Sequence, residues 1–240
     1  MSRRTVRMSG RGQGFALTEA VVAGTLLLMV VQVSWWVTAV QSVVATQVVT
    51  GARILDETRL IHHVLDAEIA YGQPGVDWIL DNEELHLRAF RGMAFRCGTD
   101  VSQGWVVAVS GYRAPDADKD SVLVLSEDGQ WSVSALTRSS RRSGLDCQQV
   151  DGFSTQVWQL DPPIARPLVG MYFERGAYRF SDGAFRYRRG VAWQPLTGTG
   201  IAVDSARMAF MANGGLTTRL TWEGPSPIPP SFRWDSWGRR

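Results

Sequence analysis

The sequence predicts an α+β chain, with one long amino-terminal helix followed by a mostly antiparallel β domain. Three observations predict it. No Asp, Glu, Lys or Arg occurs between Ala20 and Ala52. Apolar residues recur at helical spacing as far as Ile69, and beyond Gly72 the period shortens to that of strands. The 240 residues leave room for one medium domain behind an anchor.

The helix comes first. From Phe15 to Trp36 is 22 residues, which at about 1.5 Å per residue is roughly 33 Å, one hydrocarbon thickness, with Trp35 and Trp36 at the far interface. A secretory signal peptide carries a shorter apolar region that ends at a small-residue cleavage site. The run is therefore expected to span a membrane over residues 15–38 and to stay. Val33, Val37, Val40, Val44, Val48 and Gly51 continue the spacing, then Ile54, Thr58, Ile61, Leu65 and Ile69. From Arg53 onward charged residues fill the other faces. One helix of about 55 residues is predicted, apolar all round at its start and amphipathic over residues 39–71, where its stripe packs onto a sheet.

Glu19 sits alone at the head of the charge-free stretch. A carboxylate there is costly, about 2.5 to 3.5 kcal/mol on insertion scales, so it marks a function with a partner. A plain anchor gives no reason to carry it. The stretch around it, Gly14-Phe15-Ala16-Leu17-Thr18-Glu19 behind a basic leader, resembles the processing site of type IV prepilins and type II secretion pseudopilins. Ala16 and Thr18 depart slightly from that pattern. The resemblance implies a pilin-like fold, cleavage of the 1–14 leader between Gly14 and Phe15 by a prepilin peptidase, and N-methylation of Phe15. It also implies pairing of Glu19 with the amino terminus of a neighbouring subunit. Its expected setting is the bacterial inner membrane, single-pass, with the globular domain in the periplasm or on the cell surface.

Charge fits that topology. The formal charge is +2, but Arg3, Arg4, Arg7 and Arg11 lie in the leader, so Phe15 to Arg240 sums to 2 − 4 = −2. The basicity is a topology signal and not a nucleic-acid footprint. No nucleic-acid partner is expected. Two cysteines, Cys97 and Cys147, fall on the side placed outside, where an even pair most simply forms one disulfide.

After Gly72, Pro74 and Gly75 end the helix, the β domain is expected over residues 72–222. Trp78 and Leu80 read as irregular. Strands are predicted at Leu85 to Phe95, Trp105 to Tyr112, Ser121 to Ser126, Gln130 to Leu136, Thr155 to Leu160, Val169 to Glu174, Ala177 to Phe180, Ala184 to Val191, Ala206 to Met211 and Thr217 to Trp222. Asp128-Gly129 and Asp182-Gly183 mark hairpins, since both pairs accept positive φ. The aromatic and arginine-rich segment Gly170 to Ile201, with Gln194-Pro195-Leu196, resembles the carboxy-terminal half of J-type minor pseudopilins and PilW-like minor pilins. Four prolines in the 223–240 tail predict an extended segment without a ladder partner.

Sites of chemistry are few. Asp116, Asp118, Asp120 and Glu127 match the spacing of a calcium loop, but Ser121 stands where the loop glycine belongs and Val122 to Leu125 read as a strand. They are weighed against a solvated acidic turn. His62 and His63 are adjacent on a helix and point about 100° apart, so they cannot share a ligand. With His86 they read as surface or packing residues. Arg138, Arg141 and Arg142 read as an exposed basic loop.

The sequence thus leads to a non-enzymatic minor subunit of a type IV pilus-like filament, without a cofactor. It would initiate or cap assembly in type II secretion. A minor pilin at a pilus tip, in adhesion or DNA uptake, is the alternative. Its implied partners are other pilin-like subunits, the peptidase, an inner-membrane assembly platform and lipid. About 150 residues of β domain on one helix favour few copies over a tightly repeating subunit.

Overall fold

The computed structural model describes residues 15–97, 104–141, 153–223 and 230–237. The leader with Gly14, the tail residues 224–229 and 238–240, Arg142 and Cys147 lie outside them. Two compact units divide the chain at Leu55 and Asp56.

Helix α1 runs unbroken over Phe15–Ile69, 55 residues, as the spacing predicts. Its apolar amino-terminal part is long enough to cross a membrane, with a mean hydropathy of 1.9 and no buried residue in the most apolar window. Leu26, Leu27, Leu28, Val30 and Val31 are all more than half exposed, as lipid-facing side chains are. Where charges appear, one face turns inward: Thr58, Ile61, Leu65 and Ile69 are buried.

Strands follow in chain order: β1 (Trp78–Asp81), β2 (Glu84–Arg96), β3 (Trp105–Gly111), β4 (Asp120–Ser126), β5 (Trp131–Arg141), β6 (Ser154–Asp161), β7 (Pro167–Ser181), β8 (Ala184–Arg188), β9 (Trp193–Pro195), β10 (Arg207–Phe210), β11 (Leu216–Thr221) and β12 (Ser231–Ser236). Nine of them form one antiparallel sheet in the order β1-β2-β3-β6-β5-β4-β7-β8-β9, and an additional ladder joins β2 to β7. That ladder closes β2, β3, β6, β5, β4 and β7 into a six-stranded barrel. The α+β class holds, but barrel closure is a correction to the sheet domain expected from the sequence.

Closure follows from how β2 and β7 use their edges. Along one edge β2 meets β7 from Leu85 to Phe95. Along the other it meets β1 through Leu85 and Leu87, then β3 from Gly92 onward. β7 likewise meets β4 through Glu174 and β8 from Ala177. The changeover falls at a bulge between Phe90 and Gly92, where an extra residue bends the strand. On one side of the bulge lies the open sheet β1-β2-β7-β8-β9, and on the other the barrel.

The barrel is filled by Ala94, Trp105, Val107, Val109, Val122, Val124, Leu136, Trp158 and Tyr172. Trp158 meets Trp105 and Tyr172 edge to face, with centroids 5.5 and 5.9 Å apart, a favoured aromatic geometry. Gly170 leaves room for Trp105, whose Cη2 would lie 2.8 Å from a Cβ there. The Tyr172 hydroxyl donates to the Arg113 carbonyl at 2.5 Å, reaching it past Gly92 and Gly111. A Cβ on Gly111 would stand 2.0 Å from that hydroxyl.

Four further differences from the predicted elements have physical causes. Trp78–Asp81 is a strand because Asn82 and Glu83 both take positive φ, 47° and 65°. They make a tight turn that a glutamate conceals from turn-residue reasoning. Val169–Glu174 and Ala177–Phe180 are one strand, with Gly176 inside it under the Tyr187 ring. Arg138 and Arg141 lie on β5, opposite Gln159 and Gln156 of β6, instead of in a loop; both are exposed. The tail has a ladder partner after all, since β12 pairs with β11 from Ser231 to Ser236. It thereby completes a second sheet, β10-β11-β12. That sheet is tied in by Trp222, whose Nε1 donates to Thr58 Oγ1 at 3.0 Å, and by Phe210 stacked on Trp78 at 5.1 Å.

Gly111→Ala is expected to lower stability by about 1 to 3 kcal/mol through overpacking against Tyr172 and the Arg91 carbonyl. Urea unfolding of the full chain in detergent, followed by tryptophan fluorescence, measures it. An unchanged midpoint would show that the Tyr172 contact yields without cost.

Candidate functional site

At the bulge, the apolar phase of β2, Leu85-Leu87-Ala89, continues into an arginine. Arg91 therefore points into the protein and is only 8% exposed. Its Nη1 donates to both carboxylate oxygens of Glu68 on α1 at 2.9 Å, and its Nε lies 3.7 Å from Glu174 Oε2 on β7. Glu174 also receives Arg189 at 3.1 Å and Arg113 at 3.3 Å. Arg113 grips Asp120 with two nitrogens, at 2.5 and 2.7 Å. The Tyr178 hydroxyl donates to Glu68 at 3.0 Å.

The network balances three carboxylates with three guanidiniums at the mouth of the barrel. Balance is what lets it sit there, because a buried charge left alone costs several kcal/mol. Burial opposes the Arg91 charge, but Glu68 more than offsets this and raises its pKa. Burial, reinforced by the Glu68 carboxylate, raises Tyr178. Burial with Glu174 close by raises Tyr187. Tyr172 is pushed up to about 12, chiefly by burial. The guanidiniums of Arg91 and Arg113, both raised by their carboxylate partners, stay charged. The chemistry this arrangement supplies is therefore positional: it fixes the last turns of α1 against the barrel mouth.

The sequence reading missed Glu68, Arg91, Arg113 and Glu174. The available signal was Arg91, an arginine in phase with three buried residues of its strand.

The residues singled out from sequence fall elsewhere. Phe15 opens α1, and Glu19 is exposed within the first turns of the same helix; Gly14 lies outside the described residues. Cys97 follows β2, its backbone N–H donating to the Val106 carbonyl. No free cysteine occurs among the described residues. The four acids of the calcium spacing do not converge on one point. Asp120 is held by Arg113, Asp116 by Lys119 at 2.9 Å, and Glu127 by Arg96 at 2.5 Å and Arg166 at 3.7 Å. Hydrogen bonds from Lys119 and the Asp118 amide lower the Asp116 pKa. Among the described residues no group of three or more His, Cys, Asp or Glu is placed to hold a metal.

His62 lies 2.9 Å from Asp66 on its own helix and meets Trp234 of β12 edge-on at 5.6 Å. Its ring centroid is 6.0 Å from that of His63. His86 stands on the opposite face of β2 from Arg91, 3.6 Å from Glu84.

The chain matches no family model, no curated protein and no solved structure. Its own residues carry the functional argument.

Two predictions follow from the network. Glu68→Ala leaves Arg91 buried without its main partner and is expected to cost ~3 to 5 kcal/mol in chemical denaturation, whereas the double change Glu68→Leu with Arg91→Met is expected to recover most of it. A single variant as stable as the parent would remove the network from the account. The second concerns alkali. Tyr172 has a folded pKa of about 12 against an ordinary 10.0, so the folded state keeps the proton longer than the unfolded chain. This contribution is complete below pH 10 and is lost as pH rises through about 12. Stability should fall over that window, and less steeply in Tyr172→Phe. A pH series of urea midpoints reads both slopes, and identical slopes would contradict the assignment.

Proposed function

We propose that this chain is a membrane-anchored, pilin-like structural subunit, processed at Gly14 and joined to neighbouring subunits through Glu19. One observation carries the reading: the Gly14-Phe15 junction and Glu19 stand at the head of a single helix of 55 residues whose charge-free part can cross a membrane. A carboxylate in that position calls for a cation, and an amino terminus created at Phe15 on an adjacent subunit supplies one. The barrel departs from a simple open sheet. The proposed role therefore rests on the helix, with the β domain serving as a head of its own design. We read the head as too large for a tightly repeating subunit, which favours a minor, assembly-initiating position in a secretion filament at the inner membrane. The two cysteines are proposed to join, tying the end of β2 to the segment between β5 and β6.

Intact-mass measurement of membrane-extracted protein is expected to show a chain that starts at methylated Phe15. A chain starting at Met1 would overturn the processing. Glu19→Val should leave cleavage and insertion unchanged but reduce co-purification with other pilin-like proteins of the same cell. Wild-type recruitment by this variant would remove the role given to Glu19. Cys97→Ser is expected to destabilise the β domain by about 2 to 5 kcal/mol. Alkylation of both native thiols would contradict the pairing.

A further inference from the structure

The face of the β1-β2-β7-β8-β9 sheet opposite to Arg91 is rich in arginine. Register sets Arg88 directly across from Arg175. On the neighbouring strands Arg179 pairs with Arg186, and Arg188 lies across from Ala177. Three acids attend these five arginines. Glu84 receives Arg179 at 3.0 Å and Arg188 at 3.1 Å, Asp182 receives Arg186 at 3.2 Å, and Asp77 receives Arg88 at 3.1 Å. Among the described residues Arg175 has no acid within ion-pair distance. Like charges placed directly across a ladder destabilise it. Asp77 offsets Arg88, so the charge of Arg175 is the part of this pair that the fold carries without an acid of its own.

Beside this pair opens a cavity of about 260 Å³ whose lining includes Val76, Asp77, Ile79, His86, Arg88 and Arg175. Its rim is apolar and wet: Val76 is 58% exposed and Ile79 46%, and Ile79 stands across from His86 on the same face. Guanidinium donors on one side and uncovered aliphatic carbon on the other describe two halves of one ligand. We propose that this cleft binds a carboxylate carried on an aliphatic group, such as the carboxy-terminal end of a peptide. The carboxylate oxygens take the free N–H groups of Arg175 and Arg88, the fork geometry that guanidinium offers to carboxylates. The hydrocarbon covers Val76 and Ile79. Arg88, Arg175 and Asp77 together leave one positive charge, which matches a monoanion. A phosphate dianion would leave a negative charge uncompensated.

The site lies on a different face from the charge network and does not depend on the role proposed for Glu19. Isothermal titration of the full chain in nanodiscs tests it, with N-acetylleucine, N-acetylleucinamide and inorganic phosphate as probes. Saturable binding of N-acetylleucine is expected, with a Kd on the order of 1 mM, together with no measurable binding of the amide. Arg175→Gln, an exposed change, should weaken the carboxylate about tenfold, the worth of one charge-assisted contact. Ile79→Glu should abolish binding by placing a like charge on the rim. Circular dichroism establishes that both variants are folded. Equal binding of acid and amide, tighter binding of phosphate, no saturable heat with N-acetylleucine, or full affinity in a folded Arg175→Gln would each overturn the proposal.

Discussion

A strand has two edges, and everything beyond the helix depends on how β2 and β7 divide theirs. Paired with each other along one edge, the two strands spend the other edge twice, first on the open sheet and then on the barrel. A uniform ladder would give one flat sheet or one barrel. The bulge between Phe90 and Gly92 bends the ladder where the neighbours change, and both structures then share one continuous inner face. Leu85, Leu87 and Ala89 on that face are buried on the open-sheet side of the bulge, while Ala94 reaches the barrel interior.

That changeover point has no apolar solution of its own, because the barrel mouth opens there toward the last turns of α1. Arg91, Glu68, Glu174, Arg113 and Asp120 fill it with an ion network instead of a hydrophobic plug. Buried ion pairs offer weak net stability compared with apolar residues of equal volume, but removing one partner is expensive. Their contribution is to geometry. A guanidinium that must meet two carboxylates on different elements tolerates little sliding of α1 along the sheet, whereas a leucine in the same space would accept several registers.

How much of this was legible depended on range. The helix was fully readable, since its spacing and its charge-free run are local properties, and the stripe from Thr58 to Ile69 is buried as its period requires. The Asp128-Gly129 and Asp182-Gly183 hairpins were readable because turn chemistry is also local; Gly129 and Gly183 take φ of 79° and 72°. Barrel closure was not. It rests on β2 meeting β7 some 80 residues later in the chain, and strand periodicity does not name a partner. Arg138 and Arg141 looked like a loop because β5 ends in a wholly polar run, Arg138-Ser139-Ser140-Arg141. The tail looked unpaired because its prolines outweighed the alternation of Phe232, Trp234 and Ser236 against β11. The network was hidden for the same reason: Glu68 and Glu174 are each unremarkable until Arg91 stands between them.

The bond from Trp222 to Thr58 joins residues 164 positions apart, and Trp234, which meets His62, comes later still. Synthesis runs from the amino terminus, so the amphipathic face of α1 emerges long before the strands that cover it exist. Loop closure over such a distance is slow, and contacts of this range set the pace of folding. Until β11 and β12 have been made, Trp222 and Trp234 cannot meet Thr58 and His62. For this architecture the constraint is one of timing: the helix turn at Thr58 waits through 164 residues of synthesis for Trp222, and the turn at His62 waits longer still for Trp234.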